Sequence, residues 1–257
     1  MSWGENAVVT MVSLDEGIVT GIGSLSKNVM HPYREYLNIC VDSDMREKGI
    51  GKSIFYELLS YSDSKKIQTA ISSDNKAAIS FLENCGFKRV RKSYTSVLKK
   101  NTDLSASDKK IDYVPFNHLI IEQKDEVIKL QLANYKKFHE PINPLGSTIS
   151  FEEWKEIFLE DLNQEHSYVL IKESSIEAYI FCYEGDEVES IDIGYVGGKD
   201  TGKIEEYLVF YKQALDQLFT KFKNIEIEAD DVDPIAYALL NEFEYETSES
   251  WDTYIYG

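Results

Sequence analysis

Cysteine, histidine, proline and arginine are all scarce in this chain. Its 257 residues include three cysteines, four histidines and five prolines. Cys40, Cys85 and Cys182 are widely spaced and odd in number, which argues against both a disulfide framework and a zinc ribbon. His31, His118, His139 and His166 show no ligand spacing, so no metal site is expected. No segment is long and apolar enough to be read as a membrane helix. The opening Met-Ser-Trp-Gly-Glu-Asn carries neither the basic nor the apolar region of a secretory signal. The expectation is a cytoplasmic protein with reduced thiols.

Basic residues are also in deficit. Lys and Arg number 27 against 45 Asp and Glu, a formal charge of −18. The deficit is confined to one part of the chain. Residues 1–110 hold 16 basic and 13 acidic side chains, a net +3, whereas residues 111–257 hold 11 and 32, a net −21. All four arginines (Arg34, Arg46, Arg89, Arg91) lie in the first part. A phosphate-bearing ligand therefore belongs with the first part. The acidic part repels nucleic acid and favours cationic partners, or serves as a carboxylate-rich solvated surface. Hydrophobic residues make up 43%, enough for folded domains, and the length suits two modest domains or one large one.

One stretch organises the rest. Residues 35–53 read Glu-Tyr-Leu-Asn-Ile-Cys-Val-Asp-Ser-Asp-Met-Arg-Glu-Lys-Gly-Ile-Gly-Lys-Ser. Tyr36, Leu37, Ile39 and Val41 predict a strand, and Asp42, Ser43 and Asp44 end it. Ile50, Ile54 and Leu58 then recur at helical spacing. A glycine-rich turn from strand to helix leaves backbone N–H groups bare at the positive end of a helix dipole, a geometry that binds phosphate. A Walker loop would need Gly where Arg46 stands, and a dinucleotide fingerprint would need Gly where Ile54 stands. What remains is Arg46-x-x-Gly49-x-Gly51 after a strand. A second stretch, residues 73–87, runs Ser-Asp-Asn-Lys-Ala-Ala-Ile-Ser-Phe-Leu-Glu-Asn-Cys-Gly-Phe. By itself it reads as a capped amphipathic helix closed by a glycine.

Taken together and in this order, the two stretches resemble the GNAT superfamily of N-acetyltransferases over residues 7–99. The resemblance implies acetyl-CoA as co-substrate. Its pyrophosphate would lie on Arg46, Glu47, Lys48, Gly49, Ile50, Gly51, Lys52 and Ser53. Its pantetheine arm would run past Asn75 and the helix carrying Ala78 and Phe81. A backbone N–H among Ile39, Cys40 and Val41 would hold the thioester oxygen. Some members of the superfamily carry a general base eleven residues before the first loop residue, and Glu35 occupies that slot. Flanking apolar residues could raise its pKa; an ordinary strand-end carboxylate paired with Arg34 is the plainer alternative. The string at residues 38–44 also resembles ribosomal-protein alanine acetyltransferases, but their base and thiolate acid fall where Ala70 and Leu82 stand. That departure puts their mechanism in doubt.

The rest of the first part reads as strands over residues 7–13 and 18–25, a helix over 49–61, a strand from Ile67, a helix from Asn75 and two closing strands, 87–91 and 93–98. Residues 101–110 read as a linker. Beyond it the pattern recurs. Strands are predicted at 111–116, 168–172, 178–183, 189–196, 224–229 and 251–256, and helices at 122–139, 151–162, 202–219 and from Asp233. Residues 81–87 align with 239–245, and Asp233 with Asn75, at a constant offset of 158. The expected architecture is α/β: two tandem GNAT-like domains, each a mixed, mostly antiparallel sheet flanked by helices. They are expected at 1–100, truncated at its start, and 111–257, degenerate because residues 196–203 lack both the Gly-x-Gly register and an arginine. The expected function is N-acetyl transfer to a small cationic amine or a protein amino group, with a homodimer possible. No nucleic acid, membrane or metal is expected. The alternatives are a catalytically silent CoA-binding module and an interaction protein that docks through its acidic face.

Overall fold

The computed structural model describes residues 6–100 and 111–257; the expected linker, 101–110, lies outside them. The chain divides into two compact units. The first comprises Met1–Lys92, Glu140–Thr148 and Trp251–Gly257, and the second Ser93–His139 and Ile149–Ser250. Among the described residues, no helix is long and apolar enough to cross a membrane.

In the first unit the strands are β1 (Ala7–Asp15), β2 (Ile18–Lys27), β3 (Glu35–Val41) and β4 (Ile67–Ser72), with helices α1 (Ile50–Tyr61) and α2 (Lys76–Asn84). The pairs β1–β2 and β2–β3 are antiparallel, whereas β3–β4 is parallel. Residues 251–256, at the end of β11 (Tyr245–Tyr256), pair antiparallel with β4 from Trp251↔Ser72 to Tyr256↔Ile67. The sequence groups this segment with the second copy. The division differs because β4 takes its outer partner from the end of the chain. α1 packs so closely on β2 that a Cβ on Gly23 would overlap Ile54 and Leu58, which is why that strand tolerates glycine. Leu25, Leu37, Phe55, Leu58, Ile67 and Tyr254 form the core.

The expected strands 87–91 and 93–98 are one continuous strand, β5 (Lys88–Leu98). Lys92-Ser93 offers no glycine or proline to turn the chain. The role expected of a second strand beside residues 88–92 falls to β11: Arg89 Nη1 meets Asp252 Oδ1 at 3.1 Å, and Arg91 Nη2 meets Thr253 Oγ1 at 3.4 Å.

The second unit has β6 (Tyr113–Pro115), β7 (Tyr168–Lys172), β8 (Ser175–Glu184), β9 (Ser190–Gly198) and β10 (Asn224–Asp230). Its helices are α3 (Ile121–His139), α4 (Phe151–Leu159), α5 (Ile204–Leu218) and α6 (Pro234–Asn241). β10 pairs parallel with β9 and antiparallel with residues 93–97 of β5. This repeats the mixed, mostly antiparallel pattern of the first unit. Ser150 opens α4 through a capping box with Glu153. Tyr207, Phe210, Tyr211, Leu215 and Leu218 of α5 pack into the core with Ile225 and Ile227.

Candidate functional site

The centre of the first unit is the place where β3 and β4 part. Their pairing is confined to Glu35↔Ile67 and Tyr36↔Gln68, although β3 runs on to Val41 and β4 to Ser72. Glu35 N–H donates toward β4, to the Lys66 carbonyl at 2.9 Å. Alternation along a strand turns the amides of Ile39 and Val41 to the same side, where β4 has diverged. Cys40, between them, pairs with Ile22 of β2 and is exposed and free. The open edge of β3 thus presents backbone donors over the length a polar chain could follow.

At the upper end of that edge the loop folds into α1. Asp42 caps a short turn by accepting from Asp44 N–H at 2.9 Å, and Arg46 Nε donates to the Val41 carbonyl at 3.1 Å. Glu47 (φ +62°) and Gly49 (φ +85°) take left-handed backbone, and Gly49 is the N-cap of α1. No side chain caps this helix, and no acidic residue lies in its first turn. A Cβ on Gly49 would meet nothing within 4 Å. Bare amides, open space and the cations Arg46, Lys48 and Lys52 thus lie within one short stretch of chain, a combination whose electrostatics favour an anion. Lys48 lies 3.3 Å from the Met45 sulfur, and Lys52 lies over the Tyr56 ring, so their charges are not neutralised by those contacts. Ser53 N–H closes the first helical bond, to Gly49.

Gly51 has a further duty. A Cβ there would stand 3.3 Å from Phe81 of α2 and 3.6 Å from Val41, so its bareness lets α1, α2 and β3 converge. Asn75 caps α2: its Oδ1 accepts from Ala78 N–H at 3.1 Å, leaving the amide Nδ2 as a donor at the exposed helix start. Of the residues expected from the sequence, Val41 of β3, Gly51 of α1 and Phe81 of α2 meet at this point, with Asn75 and Ala78 together at the start of α2.

Glu35 stands apart from that gathering. It is 1% exposed, and its carboxylate accepts from Ser62 Oγ, just past α1. Lys27 Nζ lies 3.8 Å from its other oxygen. Ser62 Oγ in turn accepts from Lys65 N–H at 2.9 Å. The carboxylate that the sequence offers as a base ties the start of β3 to the connection between α1 and β4. Leu82, in the slot of the thiolate acid, is packed in the core, and Ala70 is paired with Thr253.

Missing from the sequence reading is the segment Glu140–Thr148, which belongs to the first unit. It bonds to the chain just before and at the start of β3. Gly146 N–H donates to the Met30 carbonyl at 2.8 Å, and His31 Nδ1 lies 3.2 Å from the Pro144 carbonyl. Ser147 N–H donates to Tyr33 Oη at 3.1 Å, Arg34 Nε to the Ile142 carbonyl at 2.7 Å, and Asn143 Nδ2 to Tyr36 Oη at 2.6 Å. Burial raises the Tyr36 pKa, opposed by the Asn143 hydrogen bond and by the charges of Arg91 and Arg34. Pro141 and Pro144 mark this segment in the sequence only as a helix stop.

The family model for the acetyltransferase (GNAT) family matches residues 2–87, the stretch that carries the parted strands, the anion loop and α2. Over that stretch, about a third of its length, the chain is similar to the GNAT acetyltransferases. No curated protein matches it in sequence. Among solved structures it is similar to a GCN5-related N-acetyltransferase from Sphaerobacter thermophilus, at 12% identity and TM-score 0.60, over 93% of this chain and 77% of that one. It is also similar to a tandem GNAT protein from the clavulanic acid biosynthesis pathway, at 12% identity and TM-score 0.56, over 96% and 82% of the two chains. A GNAT-family acetyltransferase from Colwellia psychrerythraea aligns at 11% identity and TM-score 0.53, over 96% and 85%. These likenesses concern the fold, and they span both units.

Proposed function

We propose that the protein transfers an acetyl group from acetyl-CoA to a primary amine, and that the first unit alone holds acetyl-CoA. The observation that carries this reading is the uncapped start of α1, with open space over Gly49, at the head of the edge that β4 leaves free on β3. The pyrophosphate would lie on the amides of the first turn of α1, with Arg46, Lys48 and Lys52 supplying countercharge. The arm would follow the N–H groups of Ile39 and Val41 and reach Asn75 Nδ2. Acetyl-CoA supplies an activated acyl group. The amine nitrogen bonds to the carbonyl carbon, the carbon–sulfur bond breaks, and the thiolate is released to be protonated. A strand amide at Ile39 or Val41 suits the developing oxyanion because it is a fixed donor. Glu35, already engaged by Ser62 and Lys27, serves as an anchor, and the ammonium proton of the acceptor leaves to water.

Calorimetric titration should find one acetyl-CoA per chain. Acetyl-CoA should raise the melting temperature, and amines should trigger CoA-thiol release. No melting shift would sink the reading, and two equivalent sites would sink the assignment to the first unit. The buried Leu82 in the slot of the thiolate acid favours a second reading, a silent CoA-binding module. Binding without turnover toward any amine would select it.

A further inference from the structure

At the foot of the divergence between β3 and β4 lies a group of polar side chains whose hydrogen-bonding capacity is not used. Tyr36 and Gln68 form the last cross-strand pair before the strands part, and paired residues of neighbouring strands project from the same face. Arg34 precedes β3 by one residue, and Asn143 reaches the group from Glu140–Thr148. Arg34 spends Nε on the Ile142 carbonyl, but its buried Nη1 has no acceptor. None of the carboxylates among the described residues pairs with it. Burial lowers its pKa, so the charge is held at a cost. Tyr36 accepts from Asn143 and so keeps its own O–H to donate. Asn143 Oδ1 and Gln68 Oε1 are buried acceptors with no partner.

Buried donors and acceptors without partners are costly unless something supplies them. An unpaired guanidinium beside a neutral phenol lacks an anion, and a carboxylate matches Arg geometry and accepts from both groups. The two bare acceptors lack N–H donors. Resting on the acetyl-transfer reading above, we propose that the acceptor is a primary amine that also bears a carboxylate, an amino acid or a peptide end. Its carboxylate lies against Arg34 Nη1 and Tyr36 Oη, and its N–H groups face Asn143 Oδ1 and Gln68 Oε1. Arg91 adds positive potential at Tyr36 from β5. The group sits at the same end of β3 from which the free edge with Ile39 and Val41 begins.

The test compares amines that differ only by the carboxylate: lysine against cadaverine and ornithine against putrescine, with acetyl-CoA, by thiol release. The carboxylate should raise kcat/KM by about tenfold to a hundredfold, the worth of hydrogen bonds to a charged group. In Arg34→Gln the lysine-to-cadaverine ratio should fall to within about threefold of one, while KM for acetyl-CoA holds. Arg34→Lys should retain part of the ratio. Cadaverine used as well as lysine by the native protein would overturn the inference and leave acetyl transfer standing. If no amine turns over, acetyl transfer fails, and calorimetry of lysine and cadaverine on the CoA-saturated native chain decides the carboxylate site. Lysine binding at least tenfold tighter supports it; equal or absent binding overturns it. If Arg34→Gln does not fold, the native ratio and Arg34→Lys carry the same decision.

Discussion

The two units use glycine at corresponding places for opposite purposes. In the first, Gly49 opens α1 onto empty space and no carboxylate lies in the first turn. In the second, the turn before α5 is closed on itself: Asp200 Oδ1 accepts from Gly202 N–H at 2.8 Å, and Glu205 and Glu206 occupy the first turn of α5. Those two charges repel phosphate. Gly197 and Gly198 are bare because Tyr179 and Tyr207 press against them, so that a Cβ on either would overlap a ring. The carbonyls at the end of β9 are already bonded. Tyr211 Oη donates to Gly197 at 2.8 Å, and Asn134 Nδ2 to Gly198 at 3.2 Å. A strand end that is left open in one unit is, in the other, closed by buried tyrosines and Asn134. A glycine in a phosphate-loop position thus has meaning only together with what stands over it.

The sharpest way to break this comparison is to fill both loops. Gly51→Asp puts a side chain 3.3 Å from Phe81 and a negative charge at the proposed phosphate site. Acetyl-CoA affinity should fall by about a hundredfold or more by calorimetry, the scale of several lost charge-assisted hydrogen bonds. Gly198→Ala should leave that affinity unchanged and instead lower stability by about 1–3 kcal/mol, as overpacking against buried Tyr207 does, read by urea denaturation. If Gly198→Ala weakens acetyl-CoA, the second unit is not closed.

A second test contrasts the helix caps. Asn75 is exposed and caps one amide, that of Ala78. Asp233, its counterpart, is half-buried, caps Ile235 and Ala236, and has its pKa pushed from 3.8 to about 6, chiefly by desolvation. A raised carboxylate pKa means that the folded state binds more protons than the unfolded one between these values. Stability is therefore lost as pH rises through that window. Asp233→Asn removes the titration, so between pH 4 and pH 7 the variant should gain on the native protein by at most about 3 kcal/mol. A stability difference that does not change with pH would show that Asp233 titrates normally.

The smallest effect is expected at the buried carboxylate of the first unit. With Glu35 an anchor, Glu35→Gln should lower the melting temperature by a few degrees and leave kcat within about threefold from pH 7 to 9. A hundredfold loss of kcat at pH 7, shrinking toward pH 9, with an unchanged melting temperature, would make Glu35 the base.

Local chemistry was legible in the sequence, and long-range pairing was not. The Arg46-to-Ser53 loop and the Asn75 cap are built from neighbours, so glycine spacing and capping residues disclose them. The order of helices and strands follows from periodicity in the same way. Residues 87–98 misled because a strand's partner is not written in its own sequence, and the partner of β4 is at the far end of the chain. Arg34 and Ile142 meet across 108 positions. No pattern within the first part announces that Asn143 will stand beside Tyr36; the unpartnered Nη1 of Arg34 is apparent only once the fold is known. Glu35 was found by its spacing from Arg46, and spacing says nothing of Ser62 or Lys27.

The pairing of β4 with residues 251–256 sets the order of events during synthesis. By the time α2 has left the ribosome, β1 to β4 are all available, yet the outer edge of β4 has no partner until more than 150 further residues have been translated, roughly 10–30 s at ordinary elongation rates. For that interval Ile67–Ser72 is an uncovered edge rich in apolar residues, the kind that recruits foreign strands. The amino-terminal unit is thus the last to be finished, and a nascent chain stalled before Trp251 should be recognised by chaperones even though every residue of its phosphate loop is already in place.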